Sequence, residues 1–160
     1  MSSAEARVEL HVITPDEAGR IVASTPLPGD RWHPEYPLAD ELDVLRPLAN
    51  DAAPDPVFGL MMIRDAEDGL AVGGIGFFGP PDADGAVEVG YGLVPAARGQ
   101  GLATAAVDEV AKIATAHGVK VLRAATDPSN LPSSRVLERA GFRELPPSDG
   151  LRQFERVLTS

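Results

Sequence analysis

Val87-Glu88-Val89-Gly90-Tyr91-Gly92-Leu93-Val94-Pro95-Ala96-Ala97-Arg98-Gly99-Gln100-Gly101-Leu102-Ala103-Thr104 changes its character halfway along. Val87 to Leu93 reads as a strand. From Leu102 the apolar residues Leu102, Ala106, Val110 and Ile113 recur at helical spacing until His117-Gly118, a C-terminal cation followed by a C′ glycine. Between strand and helix lie Gly99 and Gly101. Such a turn aims several backbone N–H groups and the positive helix end at one spot, an anion site built without lysine, and glycine removes the Cβ atoms that would hold a phosphate away. The same glycines also suit a plain strand-to-helix turn that needs their dihedral freedom.

Working outward, Val119 to Ala125 is a short apolar run, so strand, crossover helix and strand span Val87 to Ala125 and predict one parallel pair. Upstream, Val57 to Arg64, Leu70 to Phe78 and Ala86 to Leu93 read as an antiparallel meander joined by Asp65–Gly69 and Gly79–Gly85. Val8, Leu10 and Val12 alternate along a first strand. Thr14, Pro15 and Glu17 then carry the signs of a capped helix start. A proline-rich loop, Ser24 to Pro37, holds Trp32, His33 and Tyr36, and a helix follows over Ala39 to Ala49 despite Pro47. Leu131 to Ala140 reads as a helix ending at Gly141, with strands at Phe142–Leu145 and Leu151–Leu158. The expected class is α+β: a mixed, mostly antiparallel sheet with one parallel pair, flanked by helices, in a single domain over residues 1–160.

Composition narrows the function. A chain of 160 residues buries roughly 70% of its unfolded surface, enough for one core. Its 14 Lys plus Arg against 24 Asp plus Glu give a net charge of −10, which repels phosphate backbones and argues against a nucleic-acid partner. The absence of cysteine excludes disulfides, thiolate zinc sites and a cysteine nucleophile, and suits a reducing, cytoplasmic setting. Met1 to Leu10 has no apolar core of a secretion signal, and no stretch approaches the ~20 apolar residues of a membrane span. No His, Asp or Glu spacing suggests a metal, and the oligomeric state is left open, a homodimer included. Gly74-Ile75-Gly76-Phe77-Phe78-Gly79 matches the dinucleotide fingerprint letter for letter, but Pro80, Pro81 and an acidic loop follow where that motif needs a helix. Close approach of another backbone or a ligand is the better reading of these glycines.

Three segments together carry a resemblance. Glu88 to Pro95, Arg98-Gly99-Gln100-Gly101-Leu102-Ala103-Thr104, and Asn130-Leu131-Pro132-Ser133-Ser134-Arg135-Val136-Leu137-Glu138-Arg139-Ala140-Gly141-Phe142 resemble the GNAT N-acetyltransferases, and most the branch with the ribosomal-protein alanine N-acetyltransferases. Arg98, Gly101 and Ala103 fill its Q/R-x-x-G-x-G/A acetyl-CoA motif. The resemblance implies acetyl-CoA as cosubstrate, direct acetyl transfer to a primary amine on a small molecule or a peptide N-terminus, and the GNAT fold, in which the parallel strand pair is splayed. A non-catalytic acyl-CoA-binding module of the same shape is the alternative.

The resemblance also implies roles. The amides of Arg98, Gly99, Gln100, Gly101, Leu102, Ala103 and Thr104 would hold the pyrophosphate, Leu93 and Val94 would pair with the pantetheine, and Asn130 would touch its arm, while also being placed to cap the following helix. Glu88 stands where relatives carry the base, though an exposed strand carboxylate is equally in keeping with its position. Ser133 matches the serine that assists the departing thiolate, or a first-turn cap. Leu137 occupies the place of the tyrosine acid of many members, which excludes that acid here. Trp32, His33 and Tyr36 lie where the acceptor side forms, either to meet a cationic amine or to plug the core.

Overall fold

The computed structural model describes residues 7–158. Residues 1–6, part of the stretch read above as lacking a secretion signal, lie outside the described residues. In chain order the elements are β1 (Val8–Val12), α1 (Pro15–Ala23), α2 (Ala39–Ala49), β2 (Leu60–Asp65), β3 (Ala71–Phe77), β4 (Ala86–Leu93), α3 (Leu102–Ala116), β5 (Val121–Thr126), α4 (Leu131–Arg139), β6 (Arg143–Ser148) and β7 (Leu151–Val157). The strands form one sheet in the order β1-β2-β3-β4-β5-β7-β6. Every neighbouring pair is antiparallel except β4 and β5, as the crossover over α3 requires.

That parallel pair is short. Ala86, Val87 and Glu88 lie opposite Val121, Leu122 and Arg123, and beyond them β4 continues to Leu93 with no ladder to β5. The two strands therefore part into a wedge. α3 closes its back by burying Leu102, Ala103, Ala106, Val107, Val110, Ala111 and Ala114, the stripe that its period predicts.

On the face of the sheet that carries α2, glycines replace side chains. An ideal Cβ at Gly74 would lie 2.6 Å from a Glu41 carboxylate oxygen, and one at Gly92 would lie 2.7 Å from Leu38 Cδ1. Gly74 and Gly76 are thus strand positions that admit a close neighbour, and Gly79 turns the chain at φ 87 rather than opening a helix. Tyr91 points from the opposite pleat toward α4.

Three local expectations shift. Val12 is 44% exposed, because β1 ends there at the sheet's edge and only Val8 is fully covered. β2 begins at Leu60 rather than Val57, since the Asp55 carboxylate accepts from the Val57 and Phe58 amides at 2.8 Å each and holds that segment in a turn. β6 runs on to Ser148 through an irregularity after Leu145. The start of α1 is as read: the Thr14 hydroxyl accepts from the Glu17 amide at 3.2 Å and the Glu17 carboxylate accepts from the Thr14 amide at 3.0 Å. Thr14→Ala is expected to lower unfolding free energy by about 1 kcal/mol in urea titrations. An unchanged midpoint would show that the box adds nothing.

Candidate functional site

A cleft of about 430 Å³ fills the wedge. Its walls are Tyr91, Gly92 and Leu93 of β4, the Arg98–Thr104 turn, and Asn130, Ser133, Arg135 and Arg139 of α4. α3 starts on Gly101 in the left-handed conformation, φ 82, with no side chain capping it. The first amides of the helix therefore lack intrahelical partners and lie on the cleft. Gly99, φ 76, has open space where a Cβ would stand. The Arg98 Nε holds the turn by donating to the Leu93 carbonyl at 3.0 Å, and the Gln100 side-chain amide donates to the Ala96 carbonyl at 3.0 Å. Orphan donors, a helix N-terminus and the guanidinium groups of Arg98, Arg135 and Arg139 make a cationic cradle in an acidic chain. This cradle fits a diphosphate.

At the other end of the cleft two hydroxyls meet. Tyr91 Oη and Ser133 Oγ are 2.8 Å apart, and the phenol also donates to the Ser133 carbonyl at 3.1 Å. Burial pushes the Tyr91 phenol above its ordinary range, against a smaller opposing effect of the Ser133 hydrogen bond, so it stays protonated at neutral pH. Asn130 caps α4, its Oδ1 accepting from the Ser133 amide at 3.2 Å, and the residue also lines the cleft.

Leu93, Arg98, Gly99, Gly101, Leu102, Ala103, Thr104, Asn130 and Ser133 are thus gathered on one cavity. Val94 is not: it is fully buried and its amide is spent on the Val72 carbonyl at 2.8 Å, which leaves it no donor for a pantetheine. Gln100 serves the turn from outside. Glu88 is exposed in register with Arg123, at the closed end of the wedge. Leu137 is wholly buried.

The aromatic loop lies away from the cleft lining. Trp32 bridges to Ala71 and is half-buried, the His33 ring accepts from the Glu35 amide at 3.0 Å, and Tyr36 is buried with its ring 6.2 Å from that of Trp32. One link ties this loop to the turn between β4 and α3: the Glu35 carboxylate accepts from the Ala96 amide at 3.0 Å.

Sequence reasoning passed over Tyr91, Arg135, Arg139 and Glu41. Glu41 reads as an ordinary first-turn acid. A signal was present, however, because Glu41, Leu45 and Leu48 share a helix face at i, i+4 and i+7, and Leu45 is wholly buried. Burial pushes the Glu41 carboxyl from 4.5 up to about 7, against an opposing pull from the Leu38 backbone. The folded protein therefore holds a proton that the unfolded chain has released, so this group lowers stability as pH rises from about 4.5 through 7. Melting temperatures of the parent protein relative to Glu41→Gln are expected to fall between pH 5 and pH 8. Parallel curves would show an unperturbed carboxyl.

A family model described as an acetyltransferase (GNAT) domain matches residues 7–143. No curated protein matches the chain in sequence. Among solved structures, the ribosomal-protein-S5-alanine acetyltransferase of Vibrio fischeri superposes with a TM-score of 0.64 at 18% identity, over 99% of this chain and 97% of that one. RimJ of Mycobacterium smegmatis, in complex with CoA-disulfide, gives 0.64 at 21% identity over 94% and 81%. A variant of the spermidine N-acetyltransferase SpeG of Vibrio cholerae gives 0.69 at 13% identity over 96% and 95%. At such identities the likeness is one of fold. No helix among the described residues is long and apolar enough to cross a membrane.

Proposed function

Because this chain belongs to the GNAT acetyltransferase family, we propose that it transfers an acetyl group from acetyl-CoA to a primary amine by direct attack. The observation that carries this reading is the uncapped start of α3 opening into a cleft between splayed strands. The diphosphate would take the free amides around Gly101 and the three arginines, and the pantetheine would run along β4 past Leu93 toward Ser133. A backbone donor at the wedge would stabilise the charge that develops on the thioester oxygen, an effect worth ~3–4 kcal/mol. Tyr91 and Ser133 form a two-hydroxyl path able to deliver a proton to the departing thiolate, in place of the tyrosine that Leu137 excludes.

The similar solved structures include enzymes named for spermidine and for a ribosomal protein, both amine acceptors, and the net charge of −10 favours a cationic one. A cytoplasmic setting suits both the cysteine-free sequence and the demand for acetyl-CoA. One observation favours the non-catalytic alternative, the distance of Glu88 from the cleft. Thiol release from acetyl-CoA with a panel of primary amines decides between them. Turnover supports transfer, and CoA binding with no release by any amine makes the protein a binder.

A further inference from the structure

On the sheet face opposite Tyr91 lies a second polar site. Glu41 is 8% exposed and neither of its carboxylate oxygens has a hydrogen-bond partner in good geometry, the Leu38 backbone being a weak one; the Tyr36 hydroxyl, in a residue 6% exposed, has none either. A buried carboxylate without a partner is among the costliest groups a fold can hold. No charged side chain stands beneath it, since β3 and β4 present Gly74 and Gly92 there. Tyr36 is the titratable neighbour, and Arg64 and Glu17 are the charges that act on Tyr36. The site is close to the reaction cleft. Gly74, against which the carboxylate packs, lies opposite Gly92, and Gly92 lines the cleft. One strand spacing, about 4.8 Å, separates them. Glu88, four residues from Gly92 on the same pleat, is about 13 Å away at ~3.3 Å per residue.

We propose that Glu41 and Tyr36 form the subsite that receives the ammonium group of a cationic acceptor, and that Glu41 takes the first proton this group must lose. The inference rests on the acetyl-transfer reading. An ammonium carries three N–H donors, and this site offers three unpartnered oxygens. The Trp32 and Tyr36 rings, on the same loop, supply faces that attract a cation. Leu38, half-buried, packs over Gly92.

The protons balance. The ammonium gives one proton to the Glu41 carboxylate, and the free amine attacks the thioester carbon. As the C–S bond breaks, the nitrogen passes its second proton to water, and the thiolate takes one from the Ser133 hydroxyl, which regains it from water through Tyr91. Glu41 returns its proton to water, so that one proton is released overall. A carboxyl poised near neutrality, as burial leaves this one, is suited to that cycle.

The test is thiol release from acetyl-CoA with spermidine, 1,4-diaminobutane and an alanine-initiated peptide, for the unmodified protein, Glu41→Gln, Tyr36→Phe and Glu88→Gln. Glu41→Gln is expected to lower kcat/KM for the amine about a hundredfold, to erase the inflection of its pH profile near 7, and to leave the acetyl-CoA dissociation constant and the melting temperature undiminished. Tyr36→Phe should raise the amine KM several-fold with kcat less affected, and Glu88→Gln, the rival base, should lose far less than Glu41→Gln. Should Glu41→Gln fail to fold, Glu41→Asp takes its place, expected to keep the pH inflection at a reduced rate. Parent-like rates and pH profile in a folded Glu41 variant, or a hundredfold loss in Glu88→Gln instead, overturn the assignment. Absence of release by the unmodified protein with every amine overturns the transfer reading itself, and this subsite with it.

Discussion

Gly101→Val is expected to abolish CoA binding while leaving a folded protein. In the parent, CoA at a hundredfold excess over its dissociation constant should stabilise the fold by about 2.7 kcal/mol, or roughly 5–10 °C in melting temperature at this chain length. Two effects of the valine converge. Its side chain would stand where the uncapped amides converge, displacing the Arg7 guanidinium that lies 2.6 Å from the Cβ position. Its backbone would be forced to hold a φ of 82, which costs an L-residue roughly 1–2 kcal/mol. Gly118→Val separates the two. Gly118 has φ 80 with nothing near its Cβ position, just beyond the far end of α3. It should lose similar stability and keep the full CoA shift. A preserved shift in Gly101→Val would remove the phosphate cradle from this turn.

The contrast between those glycines marks what the sequence could and could not reveal. β4 and α2 were read to the residue, and the capping box at Thr14 and Glu17 is in place, because period, glycine punctuation and caps are local properties of the chain. The parallel pair follows from one crossover, whereas its splaying into a wedge is implied by the resemblance alone. Side-chain partners across the sheet are not local. Tyr91 looks like one more strand residue until α4 brings Ser133 to 2.8 Å from it. Glu41 looks like a solvated first-turn acid until Gly74 is seen to leave room for α2 to press its carboxylate onto β3. The engagement of the Val94 amide is hidden for the same reason, since only the register with β3 shows it donating to Val72. The Gly74 to Gly79 run opens no helix, and the close approach it admits is visible only with α2 lying on it.

Ser133→Ala is expected to lower kcat about 10³-fold and to leave the CoA-induced melting shift intact. Its hydroxyl caps nothing, because Asn130 caps α4, so alanine in that helical turn costs the fold only the hydrogen bond to Tyr91, about 1 kcal/mol. Only the proton path is cut, and general-acid contributions run ~10²–10⁴-fold. Tyr91→Phe keeps the ring against the cleft wall and removes the phenol behind the serine. If Tyr91 acts through Ser133, its single loss should be smaller, and adding it to Ser133→Ala should cost almost nothing more, the non-additivity of groups that work as one unit. If instead the phenol reaches the thiolate itself, Tyr91→Phe would be the more damaging change and Ser133→Ala the milder. The parent's rate should hold up into alkaline pH before falling, as burial raises the phenol, and that limb should vanish in Tyr91→Phe. Parent-like kcat in both single variants would leave the two hydroxyls as a structural tie between β4 and α4. Losses in kcat that spare CoA binding would instead place on the strand the acid that Leu137 denies to the helix.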